Sequence, residues 1–404
     1  MKTFAVCLAA LLCACATARP AAQPAQCSVE NAALTDLTAA RDAVRLHMAY
    51  PLGGGGSVED AFATLRADAE RARTPGEHLH VIETFVYDLA DHHIELSTNN
   101  QQSPRLVPTG ASVWVEYRGG QYVVTQVRPG SAVRAAGLRE GMIVDSIDGR
   151  APSALPLPPV NDAGEAFALG FAARVALAGT HAHDAVIVAH DARGRIETLV
   201  ALNDAQSDGL ASLSFPAPDV ALIRINNSLG DSDLPAAFDA LMARARSARV
   251  ILLDLRDTPS GGDTDVAEPI MSWFVHGARG YQLDHRGDRT WIANVRGRAD
   301  AFGGRLIVLA DHWTGSMGEG MTIGLRSAAG ATYVGTPMAG LRGAIEEFPV
   351  PCLGVRIRLP VEQLFTVEGQ PRELATPDVL VSEESLATSD DAVLQAALRL
   401  AVQR

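Results

Sequence analysis

A serine among small residues, at a change of secondary structure, is the first candidate for chemistry. Leu306 to Ala310 is a continuous apolar run of the kind carried by a strand covered on both faces. It is followed by Asp311-His-Trp-Thr-Gly-Ser316-Met-Gly-Glu319-Gly320, and an apolar helical pattern resumes at Met321. The spacing predicts strand, sharp turn and helix, with Ser316 at the helix start. Gly315, Gly318 and Gly320 let another backbone or a ligand approach the turn. The first amides of a helix have no intrahelical partner and sit at its positive end, so they can hold an oxyanion. Ser316-x-x-Glu319 is equally a capping box, in which two side chains satisfy two of those amides and do no chemistry.

The rest of the composition limits which base could activate such a serine. Lys2 is the only lysine in the 404 residues, and it falls in the leader; every other basic side chain is Arg or His. Arginine holds its proton too tightly to act as a general base, so a lysine-dependent mechanism is excluded from the mature chain. The net charge of −13, with no basic stripe, argues against nucleic acid as a partner. His181 and His183 have no third ligand nearby, and no metal or cofactor is implied.

Met1-Lys2 followed by apolar Phe4 to Cys13 reads as a secretory signal too short to span a membrane. Leu12-Cys-Ala-Cys15 resembles a bacterial lipobox, which would lipidate Cys15 and anchor the chain to a membrane; Ala16-Thr-Ala18 would serve an ordinary signal peptidase instead. Residues 1–15 are the signal and 16–33 a linker rich in Pro, Ala and Gln. Cys27 and Cys352 remain, and spacing leaves their pairing open.

Residues 34–104 read as an N-terminal helical segment of three helices, with Ser57 and Thr74-Pro75 as start signals. From 106 to 203 the pattern turns to short strands, with a hairpin signal at Gly119-Gly120 and a helix expected from Ala163 to Ala176. From 215 to 385 strand and helix alternate (Ala221 to Ile225, Leu234 to Ala248, Val250 to Arg256, Leu306 to Ala310), which predicts an α/β domain with a mainly parallel sheet. Sites in such sheets lie beyond the carboxyl ends of the strands. Ser316 and the loop Asp257-Thr-Pro-Ser-Gly261-Gly262 both stand there. Residues 386–404 are expected to form a C-terminal helix.

Taken in order, three segments resemble the C-terminal processing peptidases, or tail-specific proteases, of which the tricorn core is a relative. Arg128-Pro-Gly-Ser-Ala-Val-Arg-Ala-Ala-Gly137-Leu through Ile147-Asp-Gly149 resembles a bacterial PDZ domain; Leu253-Asp-Leu-Arg256 with Gly261-Gly262, and Thr314-Gly-Ser-Met-Gly-Glu319, follow it. The resemblance implies Ser316 as nucleophile, with the amide of Met317 and one from Gly261 or Gly262 as oxyanion hole. Most members use a lysine, but the matching loop, Gly335 to Gly343, carries Leu341 and Arg342 there. Tricorn-like members use a histidine instead, and Leu89-Ala-Asp91-His92-His93 matches their motif, with His93 on the catalytic position. A distant glutamate orients that histidine, for which Glu373 before Pro377-Asp378 is the match and Glu319 the alternative. The expectation is an exported serine peptidase acting on peptides or unfolded proteins, with activity rising through pH ~6.5, shifted by surroundings. The competing reading is a peptidase-like lipoprotein that binds peptides or apolar ligands without cutting them.

Overall fold

Periodicity sorts the chain into a helical cap and three sheets. The computed structural model describes residues 27–98, 100–161, 164–201 and 209–403. The signal and lipidation expectations, Cys15 included, lie outside the described residues, as does the expected helix start at Ala163.

The cap consists of α1 (Ala32–His47), α2 (Val58–Arg71) and α3 (Pro75–Asp88). Ser57 caps α2 by accepting from the Glu59 and Asp60 amides, and Thr74 with Glu77 makes a reciprocal capping box over Pro75. Leu37, Val44, Leu65, Val81, Ile82 and Phe85 fill the space between the helices, against Val350, Ile357 and Leu359. The buried Asp36 carboxylate holds the far end, accepting from the Cys352 and Leu353 amides at 2.8 Å each and facing His78 Nε2 at 2.9 Å. A disulfide joins Cys27 to Cys352 at the same point, which closes the pairing question.

After β1 (Glu95–Leu96) comes a β-rich domain: β2 (Val113–Arg118), β3 (Gln121–Val127), α4 (Ala132–Ala135), β4 (Ile143–Ile147), α5 (Glu165–Ala178), β5 (Ala185–Asp191) and β6 (Gly194–Val200). Its five strands pair in the order β2-β3-β4-β5-β6, all antiparallel.

The remaining chain makes two sheets. One contains β7 (Ala211–Ala217), β8 (Val220–Ile225), β9 (Val250–Asp254), β12 (Arg305–Ala310), β13 (Thr332–Gly335) and β16 (Val379–Leu380), in the order β16-β13-β12-β9-β8-β7. All neighbours in it are parallel except the β7–β8 hairpin. Helices α6 (Leu234–Ala245), α7 (Thr264–Met271) and α8 (Met317–Ala329) cover one face; α9 (Glu383–Thr388) and α10 (Ala392–Val402) bring the apolar cover of the other. The other sheet is antiparallel: β10 (Ala278–Arg286), β11 (Arg289–Arg296), β14 (Ala344–Val350) and β15 (Val355–Phe365), with β1 at an edge.

A mainly parallel arrangement therefore describes one sheet and not the molecule, in which antiparallel pairings prevail. The hairpins β10–β11 and β14–β15 account for the difference: their strands are half exposed and rich in Arg and Glu, so they lack the apolar runs that announced β9 and β12. The expected C-terminal helix is likewise two, because Asp391 caps a new start by accepting from the Leu394 amide at 2.9 Å.

Candidate active site

Strands β9 and β12 lie side by side and parallel, so the loops leaving their carboxyl ends meet. The Thr258 amide donates to the Trp313 carbonyl at 3.2 Å, and the Gly315 amide returns a bond to the Thr258 carbonyl at 3.1 Å. The approach leaves no room for side chains: a Cβ at Gly261 would stand 2.4 Å from the Ser316 Cβ, and one at Gly318 2.3 Å from Thr258 Oγ1. Ser316 has φ +49°, a left-handed conformation that strains any residue with a side chain and that tends to occur where function requires it.

Helix α8 starts at the next residue. The amides of Met317 and Gly262 have no acceptor among the described residues, whereas that of Gly261 is committed to the Thr258 carbonyl at 3.1 Å. Of the two glycines expected in an oxyanion hole, Gly262 is the one with a donor to spare.

Glu319 is wholly buried and gathers amides. Its Oε2 accepts from Ser316 at 2.8 Å and from Leu341 at 3.2 Å, while Oε1 accepts from Gly340 at 2.9 Å. Arg372 Nη2 lies 3.8 Å away. Burial pushes its pKa up to about 7, against the opposing pull of Arg372 and the three amides. Glu319 thus joins the serine turn to the Gly340–Leu341 loop.

His93 reaches the same loop from the other side. Beyond α3, Ala90 takes φ +53° and the Asp91 carboxylate accepts the His93 amide at 2.9 Å, which closes a tight turn. Arg342 clamps that turn, with Nε at 2.8 Å and Nη2 at 2.6 Å from Asp91 Oδ2. Its own carbonyl lies 2.6 Å from His93 Nδ1. A carbonyl only accepts, so Nδ1 carries the proton and Nε2 keeps its lone pair. Burial brings the imidazole down to about 4, with Arg372 and Arg342 adding to the effect while the Arg342 carbonyl and Asp91 oppose it. The ring is neutral at neutral pH.

Ser316 and His93 therefore stand at two ends of one network, Ser316–Glu319–Leu341/Arg342–His93, without a hydrogen bond between Oγ and Nε2. Such contacts are commonly long without substrate and tighten when it binds. Glu373 makes no hydrogen bond to His93 among the described residues. It lines a cleft of about 290 Å³ with Asp91, His92, Gly340 and Arg342, and its buried Oε2 has no partner. A larger cleft, about 590 Å³ and mostly apolar, lies on the other side of the same turn, so Asp91 and His92 form a wall between the two.

The β-rich domain docks directly on the serine turn. Trp313 is buried in its core and donates through Nε1 to the Ala111 carbonyl at 2.7 Å. Gln126 bridges Asp311 at 3.1 Å and Thr336 at 2.9 Å, and Arg128 pairs with Asp257. His312 stacks on Trp114 with ring centroids 4.3 Å apart. Sequence reasoning noted Arg342 without giving it a role at the site, and gave none to Arg174 or Trp114. The available signals were an arginine where a lysine was expected, and a lone cation in the otherwise apolar helix Glu165 to Ala178.

A family model, peptidase family S41, matches residues 219–381. Among solved structures, the photosystem II D1 C-terminal processing protease is similar at a TM-score of 0.56 and 16% identity, covering 90% of this chain and 96% of that one. Mature CPAF complexed with lactacystin is similar at a TM-score of 0.62 and 13% identity, covering 92% of this chain and 98% of its own. At those identities the likeness is one of fold. No curated protein sequence matches the chain. The span matched by the peptidase family S41 model is the one that carries Ser316, Glu319, the 340–342 loop and both sheet-end loops.

Proposed function

We propose that the protein is an exported serine peptidase working through an acyl-enzyme on Ser316, with His93 as base. The observation that carries this is the His93 Nδ1–Arg342 carbonyl bond at 2.6 Å, which leaves Nε2 as the acceptor on a ring fixed to the same loop that Glu319 ties to the serine. Ser316 Oγ adds to the substrate carbonyl as its proton passes to Nε2. The developing oxyanion is received by the Met317 and Gly262 amides, both without another acceptor. The imidazolium then returns the proton to the leaving amine, and water repeats the sequence to free the enzyme. Arg342 contributes its carbonyl where related triads use a carboxylate, and Glu373 is left beside the cleft.

The 106–203 domain is read as a PDZ domain, and Cys15 as the lipid-bearing cysteine of a membrane-anchored protein. The substrate class is peptide or unfolded protein, in keeping with the S41 domain. Covalent labelling by a fluorophosphonate tests the mechanism. Wild type should label, Ser316→Ala should not, and His93→Ala should label at least about a hundredfold more slowly. Equal rates for wild type and His93→Ala would remove the histidine base; no labelling of wild type would leave the non-cutting binder. Comparing peptides with aryl esters then separates a peptidase from an esterase.

A further inference from the structure

Strand β2 is the outer strand of its sheet, and an outer strand offers unpaired amides and carbonyls to an incoming peptide. Here the edge is already covered. Helix α5 runs so close that a Cβ at Gly170 would stand 3.6 Å from the Tyr117 nitrogen and 3.8 Å from Glu116 Cα. Paired strands lie about 4.8 Å apart, so no further chain fits between α5 and β2. The edge carbonyl of Val115 is taken as well, by Arg174 Nη1 at 3.0 Å.

Arg174 has a second acceptor. Its Nε donates to His92 Nε2 at 3.1 Å, which puts the His92 proton on Nδ1. The His92 ring stacks on Phe171, one turn earlier on α5, at 4.5 Å between centroids, and the Arg174 guanidinium lies 4.8 Å from the centroid of Trp114. No carboxylate forms a salt bridge with this buried guanidinium among the described residues, and keeping a cation there is costly without a use for it. His92 immediately precedes the proposed base, in the turn that Arg342 grips through Asp91 from the opposite side.

We propose that Arg174 is a positioning residue for His93: it seals the β2 edge against an added peptide strand and clamps His92, so that the β-rich domain holds the turn carrying the base. The proposal rests on the reading of His93 as base. The domain is then a fixed wall of the active site, not a strand-adding receptor.

The test measures fluorophosphonate inactivation of the disulfide-bonded full chain, resolved into kinact and KI, for wild type, Arg174→Ala, His92→Ala, the double variant and Arg174→Lys. Each alanine change should lower kinact about tenfold with KI unchanged, and the double variant should lose no more than either single one, since both break one link. Lysine should recover part of the rate, which also separates loss of the clamp from loss of the fold. A wild-type rate in Arg174→Ala, or losses that multiply, would overturn the proposal while leaving the His93 reading intact. A readout independent of activity is hydrogen exchange at Val113–Arg118 with a decapeptide bearing a free C-terminal valine carboxylate. No added protection is expected, and protection of those amides would show strand addition and overturn the sealed edge.

Discussion

Burial acts with opposite sign on the two titratable groups that flank Ser316. It disfavours the charged form of each, so His93 falls to about 4 while Glu319 rises to about 7. In the proposed mechanism the neutral imidazole is the active form of the base, and the ionised carboxylate is the form that accepts three amides. Labelling of Ser316 should therefore drop in two steps as pH falls, a partial one near 7 as Glu319 takes up a proton and a complete one near 4 as His93 does. Glu319→Gln should remove only the upper step. Stopped-time labelling between pH 3.5 and 8.5, at intervals of about 0.5, reads both limbs. A single limb at ~6.5, the value of a free imidazole, would show that the ring titrates in water and not in this network. At the same scale, Gly261→Ala should slow labelling at least about tenfold, because its methyl group would stand only 2.4 Å from the Ser316 Cβ and the residue would still be held at φ +65°.

At the level of elements, the serine turn depends on a domain to which it does not belong in sequence. Trp313 lies between Asp311 and Ser316 in the chain but packs among Val115, Val124, Val127 and Leu177. Trp313→Ala should cost about 3–5 kcal/mol in urea unfolding, the usual range for a buried aromatic truncated to alanine, and should slow labelling in the fraction that stays folded. The legibility of the chain divides along the same line. β9, β12, the capped α2 and α3, and the strand–turn–helix at Ser316 could be read because each is set by local chemistry: an apolar run, a capping residue, a proline, a change of period. β10, β11, β14 and β15 could not, since a half-exposed hairpin strand alternates weakly, and the two hairpins are joined only by the β10–β15 pairing, in which Leu283 lies opposite Phe365. Among candidate site residues, Ser316 and Glu319 stood out by type and spacing, and His93 only through the resemblance to tricorn-like peptidases. The Arg342 carbonyl did not, because a backbone acceptor leaves no mark on the identity of the residue that carries it.

For the molecule as a whole, the helical cap carries His93 and packs on the 219–381 span through Val350, Ile357 and Leu359. Two of its attachments bear on the site and on stability. One is the Asp91–Arg342 pair, and the other is the Cys27–Cys352 disulfide with the Asp36 amide cluster beside it. The disulfide closes a loop of 325 residues, and loss of so long a constraint should cost about 2–5 kcal/mol. Cys352→Ser should lower the urea midpoint accordingly without changing the labelling rate well below the transition, because the crosslink precedes α1 and the His93 turn follows α3. Equal midpoints for the two proteins would mean that the Asp36 cluster alone secures that end.

The bond between residue 93 and residue 342 spans 249 positions. During synthesis the histidine turn emerges first and waits until most of the chain has followed it, and Arg372, which pins the Leu341 carbonyl at 2.7 Å, comes later still. On the proposed reading, a half-made chain that ends short of residue 342 lacks the carbonyl that fixes the His93 ring, so the arrangement is complete only once the 340–342 loop and Arg372 have followed.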